Sequence, residues 1–459
     1  MADSSHNGFP DWALFKKYGH LVRSFTCDSL QYSGHHLLPA CCQLTELEVQ
    51  DCANDTLPLL RLNTATLASV VLKRKSHSLE KSRPFPVLEF VRAIHECPSL
   101  TRLQLVDFPI EGKLELEPGG GAVIDRRLRF SAVATPESAA ASAAMEADRQ
   151  RTTQLFYDTV RRLESLSITR SNIRLPLDRS TDVFYRLRRL SLIECTSNYR
   201  EQLQFVGQCQ YLTHLKIQLN RRNERLDPED LDAIGLATSC PRITHLNLAY
   251  LKIQDQEIAM LLSQLPNLTD LDAQWTEFAG RSLEYVVSRE SRLREQLQTL
   301  DLTAAKMADS PLIQTLFQLS KLTELRVLGL GGNSLSTWFR IETLELSLAS
   351  GLSELYRLKE LRVFNFSYMC HDLGMEEVEY MMRHWKNLRT VIGTIHGYRD
   401  ANRDKAVSEE GDGPWRLGNA GARTRNTSGG QDLYMRRQWP LVQFNASTHA
   451  VVLPEMVPV

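Results

Sequence analysis

The stretch Leu325-Arg-Val-Leu-Gly-Leu-Gly-Gly-Asn333-Ser-Leu335 places apolar residues at fixed intervals, in the order Leu-x-x-Leu-x-Leu-x-x-Asn-x-Leu. Alternating leucines are typical of a short strand with one buried face, and an asparagine amide can satisfy backbone groups in the turn that follows. We number this frame from position 1 (Leu325) to position 11 (Leu335). The stretch predicts a strand whose leucines at positions 1, 4 and 6 face the interior, followed by a tight turn.

The apolar part of this frame recurs along nearly the whole chain. The frames begin at Val22, Leu44, Leu67, Leu100, Leu163, Leu187, Leu212, Ile243, Leu268, Leu297, Leu325, Leu358 and Leu388. All consecutive starts but one are 22 to 33 residues apart, near the period of about 20–29 residues of leucine-rich repeats. Apolar residues at helical spacing lie between frames. We therefore expect an α/β leucine-rich-repeat solenoid, with a curved parallel sheet on the concave face and helices on the convex face.

The one interval of 63 residues indicates an insertion at about residues 111–150. It contains the Ala-rich run Ser138-Ala-Ala-Ala-Ser-Ala-Ala144 and few large apolar residues, so we expect a flexible segment with a transient helix that could start at Thr135-Pro136-Glu137. Residues 1–20 form a remnant or linker before the repeats, which occupy residues 21–395. Residues 396–459 are rich in Gly, Arg, Asp and Asn and predict a largely disordered tail, in which Val442-Gln-Phe-Asn445 is a candidate strand.

Composition narrows the functional classes. The formal net charge is −1, so no global field would attract nucleic acid or an anionic membrane. The sequence contains no long apolar run and no basic segment followed by an apolar one at its start, so we expect neither a membrane span nor a secretory signal. The 9 cysteines have no framework spacing, which favours a reducing compartment, either cytoplasm or nucleus.

Three of the repeats resemble the cysteine-containing repeats of fungal-type F-box/LRR proteins. They are Cys97-Pro-Ser-Leu-Thr-Arg-Leu-Gln-Leu105, Cys209-Gln-Tyr-Leu-Thr-His-Leu-Lys-Ile217 and Cys240-Pro-Arg-Ile-Thr-His-Leu-Asn-Leu248. The opening Trp12-Ala-Leu-Phe-Lys-Lys-Tyr-Gly-His-Leu-Val-Arg-Ser-Phe25 is similar to the junction between F-box and first repeat, and Trp385-Lys-Asn-Leu-Arg-Thr-Val-Ile-Gly393 to the last repeat.

The resemblance implies a substrate-recognition subunit of an SCF-type cullin ubiquitin ligase. In that family the F-box binds a Skp-type adaptor, and the concave repeat face holds a protein substrate. Fewer residues precede the first repeat here than an F-box occupies, so the box is missing or truncated and adaptor binding requires one upstream. Two alternatives remain open: a ubiquitin-independent interaction scaffold, and a regulator of a small GTPase, whose family uses longer and more regular repeats.

The frame also predicts which residues form the concave partner-binding surface, because strand residues alternate between the two faces of a sheet. Outward positions are basic in the middle of the chain and acidic after Asp270. The candidates are Lys73, Arg102, Arg189, His214, Lys216, His245, Asp270, Asp272, Asp301, Glu360 and Arg362. Solvent-facing strand positions are also simply polar in many proteins, so this remains an expectation for the set rather than for each residue.

Other candidate sites are weaker. His35, His36, Cys41, Cys42 and Cys52 cluster in sequence but match no zinc-finger spacing, and Cys52 and Cys195 occupy position 9, so we interpret them as structural. Trp275 and Trp338 follow strands and are candidate anchors or packing residues. The glycine-rich stretches lack the ending of a phosphate loop. We therefore expect no catalytic residues, no metal and no cofactor.

Overall fold

The computed structural model describes residues 17–27, 40–52, 54, 56–74, 86–108, 136–171, 184–195, 199–218, 239–305, 312–331, 346–367, 373–393 and 443–445. The chain forms two compact units, residues 1–243 and residues 244–459. In both units, short strands follow one another in parallel and alternate with helices. The candidate residues Asn333 of the turn and Trp338 lie outside the described residues, as do His35 and His36.

The first unit contains seven described strands, which pair in chain order and in parallel. They are β1 (Ser24–Cys27), β2 (Glu46–Val49), β3 (Ser69–Lys73), β4 (Arg102–Val106), β5 (Ser165–Thr169), β6 (Arg189–Ile193) and β7 (His214–Gln218). The helices between them are α1 (Thr56–Leu62), α2 (Val87–His95), α3 (Pro136–Val160) and α4 (Tyr199–Gly207), and a 3-10 turn at Gly19–Leu21 precedes β1.

The second unit repeats this arrangement with strands β8 to β14, again parallel and in chain order. They are β8 (His245–Asn247), β9 (Asp270–Asp272), β10 (Thr299–Asp301), β11 (Val327–Gly329), β12 (Val363–Asn365), β13 (Thr390–Ile392) and β14 (Gln443–Asn445). The helices are α5 (Asp255–Ser263), α6 (Gly280–Val287), α7 (Leu293–Gln296), α8 (Leu312–Leu319), the 3-10 helix Leu352–Arg357 and α9 (Met375–His384).

The leucines of the frame form the core. From Leu44 onward, the described apolar residues at positions 1, 4 and 6 are at most 5% exposed, apart from Val363, which is half-buried. Strand register stacks them in rows, so that Leu103 lies opposite Leu166 and Leu300 opposite Leu328. The first frame is different, since Val22, Phe25 and Cys27 are half-buried. These observations confirm the α/β leucine-rich-repeat solenoid predicted from the sequence.

A left-handed residue ends the strand segment at position 8 of six frames. These residues are Asp107, Arg170, Glu194, Tyr250, Trp275 and Ala304, with φ between 49° and 65°. Each donates its backbone N–H to the carbonyl of position 7 in the next frame, at 2.6 to 3.1 Å. Because the bond between repeats sets this backbone conformation, the turn forms without the glycine or asparagine that usually occupies the left-handed region.

Carboxylate side chains accept the free backbone N–H groups at two helix starts in the second unit. Asp255 on α5 accepts the backbone N–H groups of Ala279, Arg281 and Ser282, at 2.8 to 3.0 Å, and so satisfies the amino end of α6. Glu377 on α9 accepts the N–H of Gly374 at 2.7 Å and so caps the start of its own helix. Each helix start therefore depends on a specific acidic side chain.

Two segments outside the regular frames contain described secondary structure. The proposed insertion is helical from Pro136, and α3 runs without a break into the repeat at Leu163. Alanine favours this helix, and its carboxyl end is held because Arg162 donates to the carbonyl of His95 at 2.6 Å. Residues 109–135 lie outside the described part. In the predicted tail, Gln443–Asn445 pairs with β13 as β14, while the extent of disorder in residues 396–459 remains a prediction.

Candidate functional site

The outward positions 3 and 5 of each strand form a polar surface, which we call the strand face. In the first unit, β4 to β7 contribute Arg102, Arg189, His214 and Lys216 to it, and all four are exposed or half-buried. Arg102, Ser165, Arg189 and His214 lie in one row of the register. The remaining outward residues of these four strands are serines and a glutamine at positions 3 and 5, so no carboxylate opposes the cations there.

Lys73 lies at the carboxyl end of β3, beyond position 5. Its Nζ is 3.1 Å from Oε1 of Glu48, and both side chains are about one-third exposed. An exposed pair of this kind contributes little to stability. The pairing nevertheless leaves the charge of Lys73 partly compensated, in contrast to Arg102 and Arg189, for which the described part of the chain offers no ion pair.

In the second unit, His245 and Asp270 occupy neighbouring strands on the strand face. His245 Nε2 lies 3.1 Å from Oδ2 of Asp270, and Thr269 donates to the same carboxylate at 2.6 Å. Both residues are half-buried. The carboxylate of Asp270 is therefore already engaged by its neighbours.

Position 5 of the second unit has a structural use that the sequence analysis did not predict. Asn247, Asp272, Asp301 and Asn365 each accept the backbone N–H two residues further along, at 2.9 to 3.2 Å. Such turns are typical of Asn and Asp. The recurrence of these residue types at position 5 was a signal that could have revealed them.

Asp301 departs furthest from the prediction that it faces a partner. It is only 4% exposed, and besides the N–H of Thr303 it accepts a hydrogen bond from Nε2 of Gln274 at 2.8 Å. Asp272 likewise accepts from Nδ2 of Asn247 at 2.6 Å. The predicted acidic surface is thus only partly available to a partner, because the carboxylates of Asp272 and Asp301 accept hydrogen bonds that stabilise the strand ends.

Glu360 and Arg362 were placed on the strand face by a frame that began at Leu358. The structure shows that the strand begins at Val363, with Phe364 opposite Leu328 and opposite Val391. The frame therefore begins at Leu361, three residues later. Glu360 and Arg362 lie in the turn that precedes β12, and Val363 and Asn365 occupy the outward positions instead. The error arose because Leu358 is also fully buried and imitates position 1.

Two aromatic rings stack at position 8 of consecutive frames. The rings of Tyr250 and Trp275 have centroids 5.6 Å apart and an interplanar angle of 16°. Tyr250 is 49% exposed, and Trp275 is half-buried. Partial burial raises the pKa of the Tyr250 phenol and the charge of Asp272 adds to this rise, while a hydrogen bond with Trp275 opposes it. We call this pair the aromatic rim.

The fold does not require aromatic residues at the aromatic rim. The same position holds Asp107 and Arg170 in the first unit, which form an ion pair at 2.8 Å, and Ala304 in the frame after Trp275. The backbone at position 8 is set by the bond to the next repeat, and its side chain is unconstrained by that bond. The sequence marks Trp275 as a candidate anchor or packing residue, but nothing in the residue types of the frame indicates the left-handed backbone, so its pairing with Tyr250 could not be predicted.

Six of the described cysteines are buried and serve packing, namely Cys41, Cys52, Cys97, Cys195, Cys209 and Cys240. Cys97 and Cys209 donate to the carbonyls of Ala93 and Phe205, four residues back, at 3.2 and 3.3 Å. Burial raises the pKa of Cys97 to about 11, and those of Cys195 and Cys240 to about 12. A thiol that stays protonated is a poor nucleophile and metal ligand.

The described part of the chain contains no group of three or more His, Cys, Asp or Glu side chains that could hold a metal ion. Among its helices, none combines the length and the apolar character needed to cross a membrane. The side chains of the strand face and aromatic rim offer hydrogen bonding, charge pairing and aromatic contact.

Comparison with known proteins gives similarity in structure alone. No family model matches the chain, and no curated protein matches it in sequence. Among solved structures, a chain of the yeast Rad7–Elc1 complex is similar, with 12% identity over 86% of this chain and 84% of that chain, and a TM-score of 0.44.

Two further solved structures are similar at comparable identity. An internalin from Listeria monocytogenes is 13% identical over 87% of this chain and 89% of its own, with a TM-score of 0.39. The plant peptide hormone receptor RGFR1, in complex with RGF2, is 12% identical over 81% of this chain and 60% of its own, with a TM-score of 0.32. By its own strand order and register, each unit of this chain is a leucine-rich-repeat solenoid.

Proposed function

We propose that this chain is a protein-binding repeat scaffold. We propose further that it acts as the substrate-recognition part of an SCF-type cullin ubiquitin ligase, in the cytoplasm or the nucleus. The observation that carries the binding role is the aromatic rim, two stacked rings of which Tyr250 is exposed and Trp275 half-buried, beside a half-buried polar surface.

Aromatic residues are enriched among the residues that dominate protein–protein binding energies, because they bury a large area and lose little conformational freedom. Tyr250 and Trp275 are held in place before binding by their stacking and by the backbone bonds at position 8. Asp272 stands close enough to affect the charge state of Tyr250. A partner segment would match this combination if it places an apolar side chain on the two rings and a hydrogen-bond donor near Asp272.

The cationic strand face of the first unit supports a second, electrostatic contribution. Arg102 and Arg189 are exposed, and Lys216 is half-buried, with serines as their neighbours in the register. Charged groups arranged in this way accelerate encounter with an oppositely charged partner and fix its orientation. We infer that the protein substrate presents acidic side chains to these residues.

The ubiquitin-ligase part of the proposal rests on the resemblance of the repeats at Cys97, Cys209 and Cys240 to those of F-box/LRR proteins. The buried thiols of Cys97 and Cys209 donate to carbonyls of the helix that precedes each of them. The thiol of Cys240 donates to the carbonyl of Val206 on α4. These hydrogen bonds explain why a cysteine stands where a helix ends. A Skp-type adaptor and a cullin would be bound through an F-box supplied upstream of the repeats.

Affinity purification of the chain from its native cell, with mass spectrometry of the proteins recovered, tests both parts. The wild type is compared with the Tyr250→Ala/Trp275→Ala double variant and with Tyr185→Ala, a control that removes a 54% exposed tyrosine elsewhere. We expect the double variant alone to lose specific partners. Equal recovery by all three would overturn the role of the aromatic rim.

Recovery of a Skp-type adaptor and a cullin supports the ligase role, and the same preparation should then transfer ubiquitin to the recovered partners. If partners bind but adaptor and cullin are absent, both with this chain and with an upstream-extended reading frame, the ligase role fails. The chain would then be a ubiquitin-independent scaffold.

A further inference from the structure

A cavity of about 420 Å³ opens on the helical side of the second unit. It lies between α6, the turn that leads into α7, α8 and the 3-10 helix Leu352–Arg357. Its volume falls within the range of small-ligand sites, about 300–1,000 Å³. The strand leucines Leu271, Leu300 and Leu328 are buried between the sheet and the helices, so this cavity is separate from the strand face.

Cationic side chains dominate its lining. Arg289, Arg294, Lys321 and Arg357 contribute four positive charges, and Glu284 contributes one negative charge. In the described part of the chain, no carboxylate lies within ion-pair distance of these four cations. Four cations that line one cavity repel one another unless an anion lies among them.

Two of the cations are held in position by neighbouring aromatic rings. Nζ of Lys321 lies 4.9 Å from the ring centroid of Phe317 and donates to Oε1 of Gln318 at 2.6 Å. The guanidinium of Arg357 lies 5.3 Å from the ring of Tyr356, and its Nε donates to the Tyr356 hydroxyl at 2.8 Å. These contacts fix the side chains and leave the terminal guanidinium nitrogens of Arg357 available for an anion.

The geometry points to a small ligand that carries clustered phosphate groups. Three planar guanidinium groups and one ammonium supply the donors that phosphate oxygens accept best. The excess of three positive charges in this cavity favours a multivalent anion over a single carboxylate. Exposed Glu290 and Glu295 follow Arg289 and Arg294 directly. Their negative charges disfavour a long polyanion such as RNA, which would extend beyond the cavity.

Isothermal titration calorimetry of the full chain with tripolyphosphate tests this inference, and ATP and inorganic phosphate serve as further probes. We expect tripolyphosphate to bind more tightly than inorganic phosphate and to raise the melting temperature. Tighter binding of ATP than of tripolyphosphate would identify a nucleotide as the source of the phosphates, and equal binding would show that the phosphate chain alone is recognised. Absence of both heat and thermal shift with tripolyphosphate and ATP would overturn the inference.

Variants separate a built site from general attraction to positive charge. Arg294→Ala/Lys321→Ala should weaken tripolyphosphate binding at least about tenfold, because it removes two charged hydrogen-bond donors from the lining. Arg383→Ala, an exposed arginine on α9, removes a charge away from the cavity and should change binding less than about twofold. Glu284→Gln should tighten binding, because it removes the carboxylate of the lining.

Equal weakening by Arg383→Ala, or unchanged binding by Glu284→Gln, would contradict the assignment. Circular dichroism and melting without ligand confirm that each variant folds; the double variant should be at least as stable as the wild type, because repulsion is relieved. The site is independent of the proposed partner surface. Partner recovery with the aromatic-rim variants therefore reports on the protein-binding role, and tripolyphosphate binding reports on this cavity.

Discussion

Gly329→Ala should destabilise the second unit, although glycine in a strand is normally the less stable choice. A Cβ at residue 329 would overlap Oδ1 of Asp301 and lie 2.7 Å from its Cγ. The carboxylate of Asp301 fills the space at position 5 of β11 where other frames carry a side chain. Residue 329 must therefore be glycine because the carboxylate of Asp301 lies where its Cβ would be, and not because a turn requires glycine.

The magnitude follows from the two hydrogen bonds that Asp301 accepts, from the N–H of Thr303 at 2.9 Å and from Gln274 at 2.8 Å. A hydrogen bond to a charged group contributes about 1.5–3 kcal/mol. If the added methyl group displaces the carboxylate, we expect a loss of about 3 kcal/mol in the free energy of unfolding. Without a clash, alanine would instead stabilise the strand by about 0.5–1 kcal/mol, so the sign of the effect is diagnostic.

Urea unfolding of wild type, Gly329→Ala, Asp301→Ala and the double variant measures this effect. Asp301→Ala removes both the hydrogen bonds and the obstacle, so Gly329→Ala should cost little more in that background. The double-mutant cycle should give a coupling of about 2 kcal/mol. Gly374→Ala is the matched control, because its added methyl group would lie 3.5 Å from Oε2 of Glu377. A stabilising Gly329→Ala, or additive effects in the cycle, would refute the reasoning.

Three further predictions concern a helix cap and the cysteines. Asp255→Ala removes the acceptor for three N–H groups at the start of α6 and should lower the free energy of unfolding by about 2 kcal/mol in urea titrations; a loss below about 0.5 kcal/mol would contradict its capping role. Native-state alkylation followed by mass spectrometry should modify exposed Cys42 and spare Cys209, which is 0% exposed and whose pKa burial raises well above its usual value; equal rates would show that the repeat core opens. The pKa of Cys195 is raised to about 12, so its stabilising effect is complete below pH 9 and is lost between pH 9 and 12, by about 1.4 kcal/mol per pH unit. The stability difference between wild type and Cys195→Ala should shift by that amount against the wild type over this range, and a pH-independent difference would contradict the assignment.

The residues at positions 1, 4 and 6 determined the repeat architecture and its register. Leucine is buried at these positions because strand residues alternate between faces, and a shift by one residue would expose the whole apolar set. The same rule located Arg102, Arg189, His214 and Lys216 on the strand face. It failed at Leu358, where a buried residue of the preceding turn imitated the first position of the frame.

What the local pattern could not reveal were interactions between repeats. Alternation alone predicts that Asp301 is an exposed strand residue. Its carboxylate is buried instead, because it accepts a hydrogen bond from Gln274 of the preceding repeat and occupies the space left by Gly329. The stacking of Tyr250 on Trp275 has the same origin. The two residues are 25 positions apart, and only the bond from each position 8 to the next repeat brings their rings together.

The sequence by itself determined that the chain folds as leucine-rich repeats, because burial of a periodic apolar face depends on each residue's own position in the frame. It also determined the polar character of the strand face. Tertiary structure alone decided which polar residues remain available to a partner and where cations converge. Arg289, Arg294, Lys321 and Arg357 come from three repeats, and their common cavity exists only after helices from those repeats pack together.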